Sequence, residues 1–151
     1  IPTEFRPGLG DWVFGCDVCQ EVCPWNLRFS SPEGHPALHP DPAIARPVLR
    51  EELLLTPQQF NQKFRRSPIR RAKRRGYLRN IAVALGNRRD TAAVTALAKA
   101  VLDEPEPLVR GHAAWALGRM RTAQARQMLE KAAKSEPDLS VKSEIIQALD
   151  Q

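Results

Sequence analysis

Small and apolar residues recur with an offset of 32 positions in the last two thirds of the chain. The run NIAVALG begins at Asn80, HAAWALG begins at His112 and EIIQALD begins at Glu144. The same offset relates Glu104 to Glu136, each of which is followed by proline. A helical pattern that repeats every ~20–50 residues predicts an α-solenoid, in which each repeat holds two helices.

Glycine and proline mark the expected ends of these helices. We expect the first helix of a repeat to end near Gly86 or Gly118, because glycine accommodates a left-handed cap. The second helix should end before the Glu-Pro pairs, because proline cannot continue a helix. The LVR opening at Leu108, followed by the alanine-rich run, resembles HEAT-like repeats. The sequence therefore predicts an all-α fold with a HEAT-like helical repeat domain (α-solenoid) over residues 48–151.

Proline is concentrated before this domain. Eight of the 13 prolines lie between Pro2 and Pro47, which predicts loops around a metal-binding turn and then a linker over residues 1–47. Two helix starts follow. Thr56 precedes a proline and stands three residues before Gln59, as in a capping box, and Ser67 also precedes a proline.

The candidate metal ligands are three cysteines within eight residues. Cys16, Cys19, Cys23 and Pro24 have the spacing C-x2-C-x3-C-P, which is three quarters of the bacterial iron–sulfur run, in which the last cysteine ligates a different cluster from its neighbours. Three thiolates cannot complete a four-thiolate cluster, so we expect further ligands from outside the chain. The alternative is a structural zinc site, in which His35 or His39 completes a Cys3His set.

Length and composition limit the class of protein. A chain of 151 residues with a 42% hydrophobic fraction can form one compact domain with a small appendage. It starts without an initiator methionine or a signal-peptide pattern, and we interpret it as a fragment. Because nothing indicates a disulfide framework, we expect a cytoplasmic protein. No apolar run approaches the ~18 residues needed to cross a bilayer, so we expect no membrane association. We also expect the protein to be a monomer.

Positive charge is concentrated in one segment. Between Lys63 and Arg89 there are eleven Lys or Arg and no acidic residue, while the rest of the chain has 12 basic and 17 acidic residues. We expect a helix from Pro68 that places arginines in like-charge i,i+4 pairs, which a polyanion would relieve. Arginine favours phosphate because the N–H groups of its planar guanidinium match the spacing of the phosphate oxygens.

These features predict an RNA-binding surface, with a solvated basic face as the alternative. Tyr77 is equally consistent with a base-stacking or a core role, and Asn80 and His112 with an RNA-contacting or a structural role. The candidate RNA-binding residues are Arg65, Arg66, Arg70, Arg71, Lys73, Arg74, Arg75, Arg79, Asn80, Arg110 and His112.

Several segments together resemble one family. They are residues 10–26 (GDWVFGCDVCQEVCPWN), 64–72 (FRRSPIRRA), 76–87 (GYLRNIAVALGN) and 110–118 (RGHAAWALG). In sequence, order and spacing they resemble the C-terminal part of the epoxyqueuosine reductases. The resemblance covers essentially the whole chain.

The resemblance implies a bacterial enzyme that reduces epoxyqueuosine to queuosine at the wobble position of tRNA. It implies cobalamin, two [4Fe-4S] clusters in a ferredoxin-like domain, of which residues 1–47 are part, and a HEAT-like domain that helps to hold tRNA. Cys16 and Cys19 would ligate one cluster and Cys23 the other. The cobalamin site and the catalytic residues would belong to a missing N-terminal catalytic domain, the other expected partner. No catalytic residue is therefore assigned here, and the fragment alone is expected to be inactive.

Two other interpretations stay open. The chain could belong to a different cobalamin or iron–sulfur oxidoreductase with a repeat domain attached. It could also be a zinc-stabilised HEAT-like adaptor, without enzymatic activity, that binds nucleic acid or protein.

Overall fold

The structure is a computed structural model that describes residues 1–31, 34 and 42–150. Every regular element in these residues is helical, which confirms the predicted all-α class. The α-helices are α1 (Val18–Glu21), α2 (Pro24–Phe29), α3 (Pro42–Ala45), α4 (Leu49–Glu52), α5 (Pro57–Lys63), α6 (Lys73–Arg88), α7 (Val94–Asp103), α8 (Pro107–Met120), α9 (Ala123–Ser135) and α10 (Leu139–Leu149). Short 3-10 helices occupy Thr3–Phe5, Pro7–Leu9, Pro68–Ala72 and Thr91–Ala93. No described helix is long and apolar enough to cross a membrane.

The chain divides into two compact units. One comprises Ile1–Phe14 together with Leu49–Gln151, and the other comprises Gly15–Val48. The first fourteen residues therefore pack with the helical repeats. The predicted domain boundary at residue 47 stays a prediction.

The helical repeats form two layers. α6, α8 and α10 lie side by side, with α8 in contact with both neighbours, and α7 and α9 cover one side of them. Leucine, isoleucine and alanine fill the space between the layers, and burying them supplies the main driving force for the fold. The largest fully buried apolar residues of these five helices include Leu78, Ile81, Leu85, Leu97, Leu117, Leu129 and Ile145.

The glycines expected at helix ends lie inside the helices instead. α6 and α8 continue past Gly86 and Gly118, and the left-handed caps are Arg89 (φ 50°) and Arg121 (φ 52°). A Cβ atom on Gly118 would lie 2.8 Å from the carbonyl oxygen of Ala148. The prediction of glycine caps was wrong, because these glycines are needed for close contact between neighbouring helices.

The helix expected to run on from Pro68 is interrupted. Ser67 caps a 3-10 turn as predicted, its hydroxyl accepting from the amide of Ile69 at 3.3 Å, but the turn ends at Lys73 with a φ of +57°. α6 starts from that same residue. The expected i,i+4 pairs of arginines therefore do not share one helix, because the chain changes direction at Lys73.

An aromatic cluster lies on the two sides of this turn in the sequence, on and just after α5 and on α6. Phe60 and Phe64 are buried, as their spacing of four residues predicts, and their ring centres lie 5.0 Å apart. The ring of Tyr77 packs against both, and its hydroxyl donates to Glu52 at 3.0 Å. Burial, followed by the neighbouring Glu52 carboxylate, raises the pKa of Tyr77. Tyr77 is therefore a core residue, which leaves its ring unavailable for stacking on a base.

Candidate nucleic-acid interface and metal-ligand segment

The three cysteines lie on a short segment of turns. Cys16 precedes α1, Cys19 lies within it, and Cys23 is the N-cap of α2. Asp17 has a φ of +52°, and its carbonyl accepts from the amides of Gln20 and Glu21, which closes the first turn. All three thiols are free, with Cys16 and Cys19 exposed.

The thiols match an iron–sulfur cluster in ligand type and spacing but are too few to complete one. Across the part of the chain that the structure describes, no group of three or more His, Cys, Asp or Glu side chains is gathered as a metal site. The alternative zinc ligands His35 and His39 lie outside the described residues. The donor set therefore fits a site that takes further ligands from elsewhere.

Six of the predicted RNA-binding side chains form an exposed group around the 3-10 turn. Within the described residues, none of the six takes part in an ion pair. Their positive charges therefore face solvent and are free to meet an anion. We call this group the basic turn, and its members are Arg65, Arg66, Arg70, Arg71, Lys73 and Arg75.

Arg74 and Arg110, also predicted to bind RNA, are engaged inside the chain. The terminal nitrogens of Arg74 donate to the carboxylate of Glu104 at 2.7 and 2.6 Å, and its Nε donates to the carbonyl of Leu55 at 2.6 Å. Arg110 donates to Glu136 at 2.8 and 2.7 Å, which raises the pKa of Arg110 and lowers that of Glu136. The two glutamates occupy equivalent repeat positions, whereas the two arginines do not. Both arginines fasten neighbouring helices together.

Asn80, Arg79 and His112 lie at the contact with residues 1–14. The amide nitrogen of Asn80 donates to the carbonyl of Val13 at 2.7 Å, while its oxygen accepts from Arg79 at 3.0 and 2.8 Å. Nδ1 of His112 lies 2.8 Å from the carbonyl of Leu108. Burial, with a smaller contribution from nearby positive charge, lowers the pKa of His112 to about 4. Its ring is therefore neutral at pH 7 and cannot contribute charge to RNA binding.

Two residues at this contact were missed by sequence reasoning. Glu144 binds Arg6, whose side chain is only 2% exposed. Glu144 could have been found, because it follows His112 by the same offset of 32. Arg6 carries no comparable signal, since nothing in its local sequence distinguishes it from a surface arginine.

Comparison with known proteins agrees with this architecture. The family model of HEAT repeats matches residues 69–150. A Pseudomonas aeruginosa protein named epoxyqueuosine reductase is 44% identical over 119 residues, which cover 79% of this chain and 33% of that protein. An uncharacterized protein of Geobacillus stearothermophilus is 35% identical over 150 residues, which cover 99% of this chain and 69% of that protein.

Solved structures give the same result. The crystal structure of an epoxyqueuosine reductase with a tRNA-Tyr epoxyqueuosine-modified tRNA stem loop matches with a TM-score of 0.89 at 35% identity, over 99% of this chain and 40% of that chain. The predicted resemblance is confirmed. The chain spans about a third of the length of the curated reductases that it matches.

Proposed function

Because this chain belongs to the HEAT-repeat family and is related to epoxyqueuosine reductases over about four fifths of its length, we propose that it is the C-terminal part of a tRNA-modifying reductase that converts epoxyqueuosine to queuosine. Its two contributions are a basic surface for tRNA and part of an iron–sulfur ligand set. The catalytic residues, the cobalamin site and base recognition belong to the rest of that protein. The chain alone is then inactive.

The observation that carries this proposal is the basic turn. Six exposed cationic side chains surround one short turn, and no described acidic side chain pairs with them. A surface of this kind attracts a polyanion, and its affinity comes largely from the release of counterions from the phosphates. The relative solved with a tRNA stem loop supports RNA as the polyanion. Phosphate contacts position a nucleic acid without selecting its sequence, which suits a domain that holds tRNA for an active site in the rest of the protein.

The cysteine segment supplies the second contribution. Cys16 and Cys19 would hold one [4Fe-4S] cluster and Cys23 the other, with the remaining thiolates supplied by the rest of the protein. When bound, such clusters provide the one-electron transfers that a reductase requires. Cluster ligands must be reduced cysteines rather than disulfides, which supports a cytoplasmic location.

The test of RNA binding is a salt series with a queuosine-type tRNA stem loop. Reversal of Arg66, Arg70, Arg71 and Arg75 to Glu changes the charge by the same amount as reversal of the exposed lysines Lys99, Lys131, Lys134 and Lys142, which serve as the matched control. Each phosphate contact contributes about 0.7–0.9 to the slope of log affinity against log salt. We expect the slope of the arginine variant to be shallower by the contribution of about two or more phosphate contacts, while the lysine variant keeps most of the parent's slope. Equal losses of slope in the two variants would show that only the net charge of the chain matters. That result would contradict the proposed RNA-binding surface.

The test of the metal site uses anaerobic reconstitution of the full-length protein. We expect Cys16→Ser and Cys23→Ser to lose different clusters, as seen by iron content and electron paramagnetic resonance. Tight one-to-one zinc binding without iron–sulfur absorbance would favour the zinc-stabilised adaptor instead.

A further inference from the structure

One helix position contacts residues 1–14 in each of three successive repeats. Asn80 on α6, His112 on α8 and Glu144 on α10 are separated by 32 residues each. A position repeated in this way forms a row across the side-by-side helices. We call residues 1–14 the strap and these three residues the row.

Two members of the row contact the main chain of the strap. Asn80 donates to the carbonyl of Val13 at 2.7 Å, and Nε2 of His112 lies 3.2 Å from the terminal amino nitrogen of Ile1, the first residue of the sequence. A third main-chain contact comes from Asn87, whose amide donates to the carbonyls of Arg6 and Gly10 at 2.8 and 2.6 Å. Contacts to the main chain hold a segment without selecting its side chains.

The third member of the row contacts a side chain. Both terminal nitrogens of Arg6 donate to the carboxylate of Glu144, Nη1 at 2.8 Å. Nε of Arg6 donates to the carbonyl of Ile1 at 2.9 Å, and its guanidinium carbon lies 5.4 Å from the centre of the Trp115 ring. Because the side chain is 2% exposed, an unpaired guanidinium here would be costly, so Arg6 depends on the carboxylate of Glu144 as its partner.

We propose that this face of α6, α8 and α10 is an intramolecular peptide-docking surface, which receives the strap with Arg6 as its anchor. Asn80 and His112 then serve the strap and make no contact with RNA. One part of this proposal rests on the proposed function, namely that RNA binds at the basic turn, whose residues are not members of the row. The docking itself depends only on the contacts described above.

The test measures strap attachment and RNA binding in the same variants of the whole chain. Hydrogen exchange reports attachment, because the amides of Phe5, Arg6, Leu9, Gly10 and Trp12 are all donors within the strap. Glu144→Gln removes the anchor charge, Arg6→Lys removes the planar fork, and Asn80→Ala removes one main-chain contact. Ser143→Ala, at an exposed neighbour of Glu144 on α10, is the control.

We expect exchange in the strap to accelerate by about tenfold or more in Glu144→Gln and Arg6→Lys, and by less in Asn80→Ala. Exchange in the core of α8 should stay slow in all variants, which separates detachment from unfolding. The affinity for the tRNA stem loop should change by less than about twofold in Asn80→Ala.

Two results would overturn the proposal. One is unchanged exchange of the strap in both Glu144→Gln and Arg6→Lys. The other is a loss of tRNA affinity in Asn80→Ala equal to that of the arginine reversal, with strap exchange unchanged. If reversal of the four arginines of the basic turn leaves tRNA binding intact, the proposed RNA-binding function is wrong. The hydrogen-exchange results would still show whether the strap docks on the row.

Discussion

The ring of Trp115 occupies the space that a side chain on Gly86 would need. A Cβ atom built on Gly86 would lie 2.6 Å from Cζ3 of Trp115 and 3.0 Å from the Cα atom of Ala116. Real Cβ atoms essentially never come within 3.0 Å of another atom, so a side chain at position 86 would force the Trp115 ring or the two helices to move apart. The same relationship recurs one repeat later between Gly118 and Ala148.

Gly86→Ala should therefore destabilise the fold by about 1–3 kcal/mol, because the overpacking outweighs the helix propensity gained from alanine. Gly76→Ala is the matched control in the same helix, since its Cβ would meet Ala72 at an ordinary 3.8 Å. The control should be neutral or slightly stabilising. Urea denaturation of both variants measures the difference, and equal stabilities would contradict the close-contact explanation.

Glu136→Gln should cost about 2–3 kcal/mol of folding stability, because it removes the charge that Arg110 binds with two hydrogen bonds at a site where the glutamate is 3% exposed. Glu130→Gln breaks the exposed pair with Arg126 and should cost less than about 0.5 kcal/mol. Thermal denaturation at neutral pH compares them. A similar small cost for both would show that the Arg110 pair adds little.

Stability should fall as the pH decreases from 7 to 5, because of His112. Burial lowers the pKa of His112 to about 4 from its ordinary 6.5, so the unfolded chain binds a proton in this window that the folded chain does not. The contribution is at most about 2 kcal/mol between pH 7 and 5. His112→Gln should remove that part of the pH dependence. A variant whose stability varies with pH exactly as the parent's does would show that His112 is not the group responsible.

Thr56→Ala should cost about 1 kcal/mol, because Thr56 caps α5. Its hydroxyl accepts from the amide of Gln59 at 3.2 Å, and the side chain of Gln59 accepts from the amide of Thr56 at 2.8 Å. Gln58→Ala, at the exposed residue between them on the helix, should have no measurable effect. Chemical denaturation checks both, and a neutral Thr56→Ala would show that the tertiary contacts of α5 hold it without the cap.

Local and periodic features were predicted well from the sequence. The offset of 32 and the alanine-rich runs predicted a helical repeat, and the Thr56 capping box is present as expected. These features succeed because helix periodicity and capping depend on residues close together in the chain. The roles of Gly86 and Gly118 were predicted wrongly for the opposite reason, since a glycine at a helix end and one at a helix contact look the same in sequence.

The partners of the charged residues could not be predicted. Arg74 appeared to be one more member of a basic run, yet it binds Glu104, thirty residues further along the chain. Similarly, Asn80 and His112 are polar residues whose partners lie in residues 1–14, a segment expected to belong with the cysteines. Such pairs depend on how the repeats stack in three dimensions, and a pattern of neighbouring residues in the sequence does not contain that information.

A solenoid deforms elastically by small rotations of each repeat against the next. Residues 1–14 connect α6, α8 and α10 across their common side, so any change in curvature must lengthen or shorten at least one of the contacts made by Asn80, His112 and Glu144. We therefore expect the segment to resist changes in the curvature of the repeats, so that a ligand bound along them meets a stiffer surface than a solenoid without such a cross-link offers.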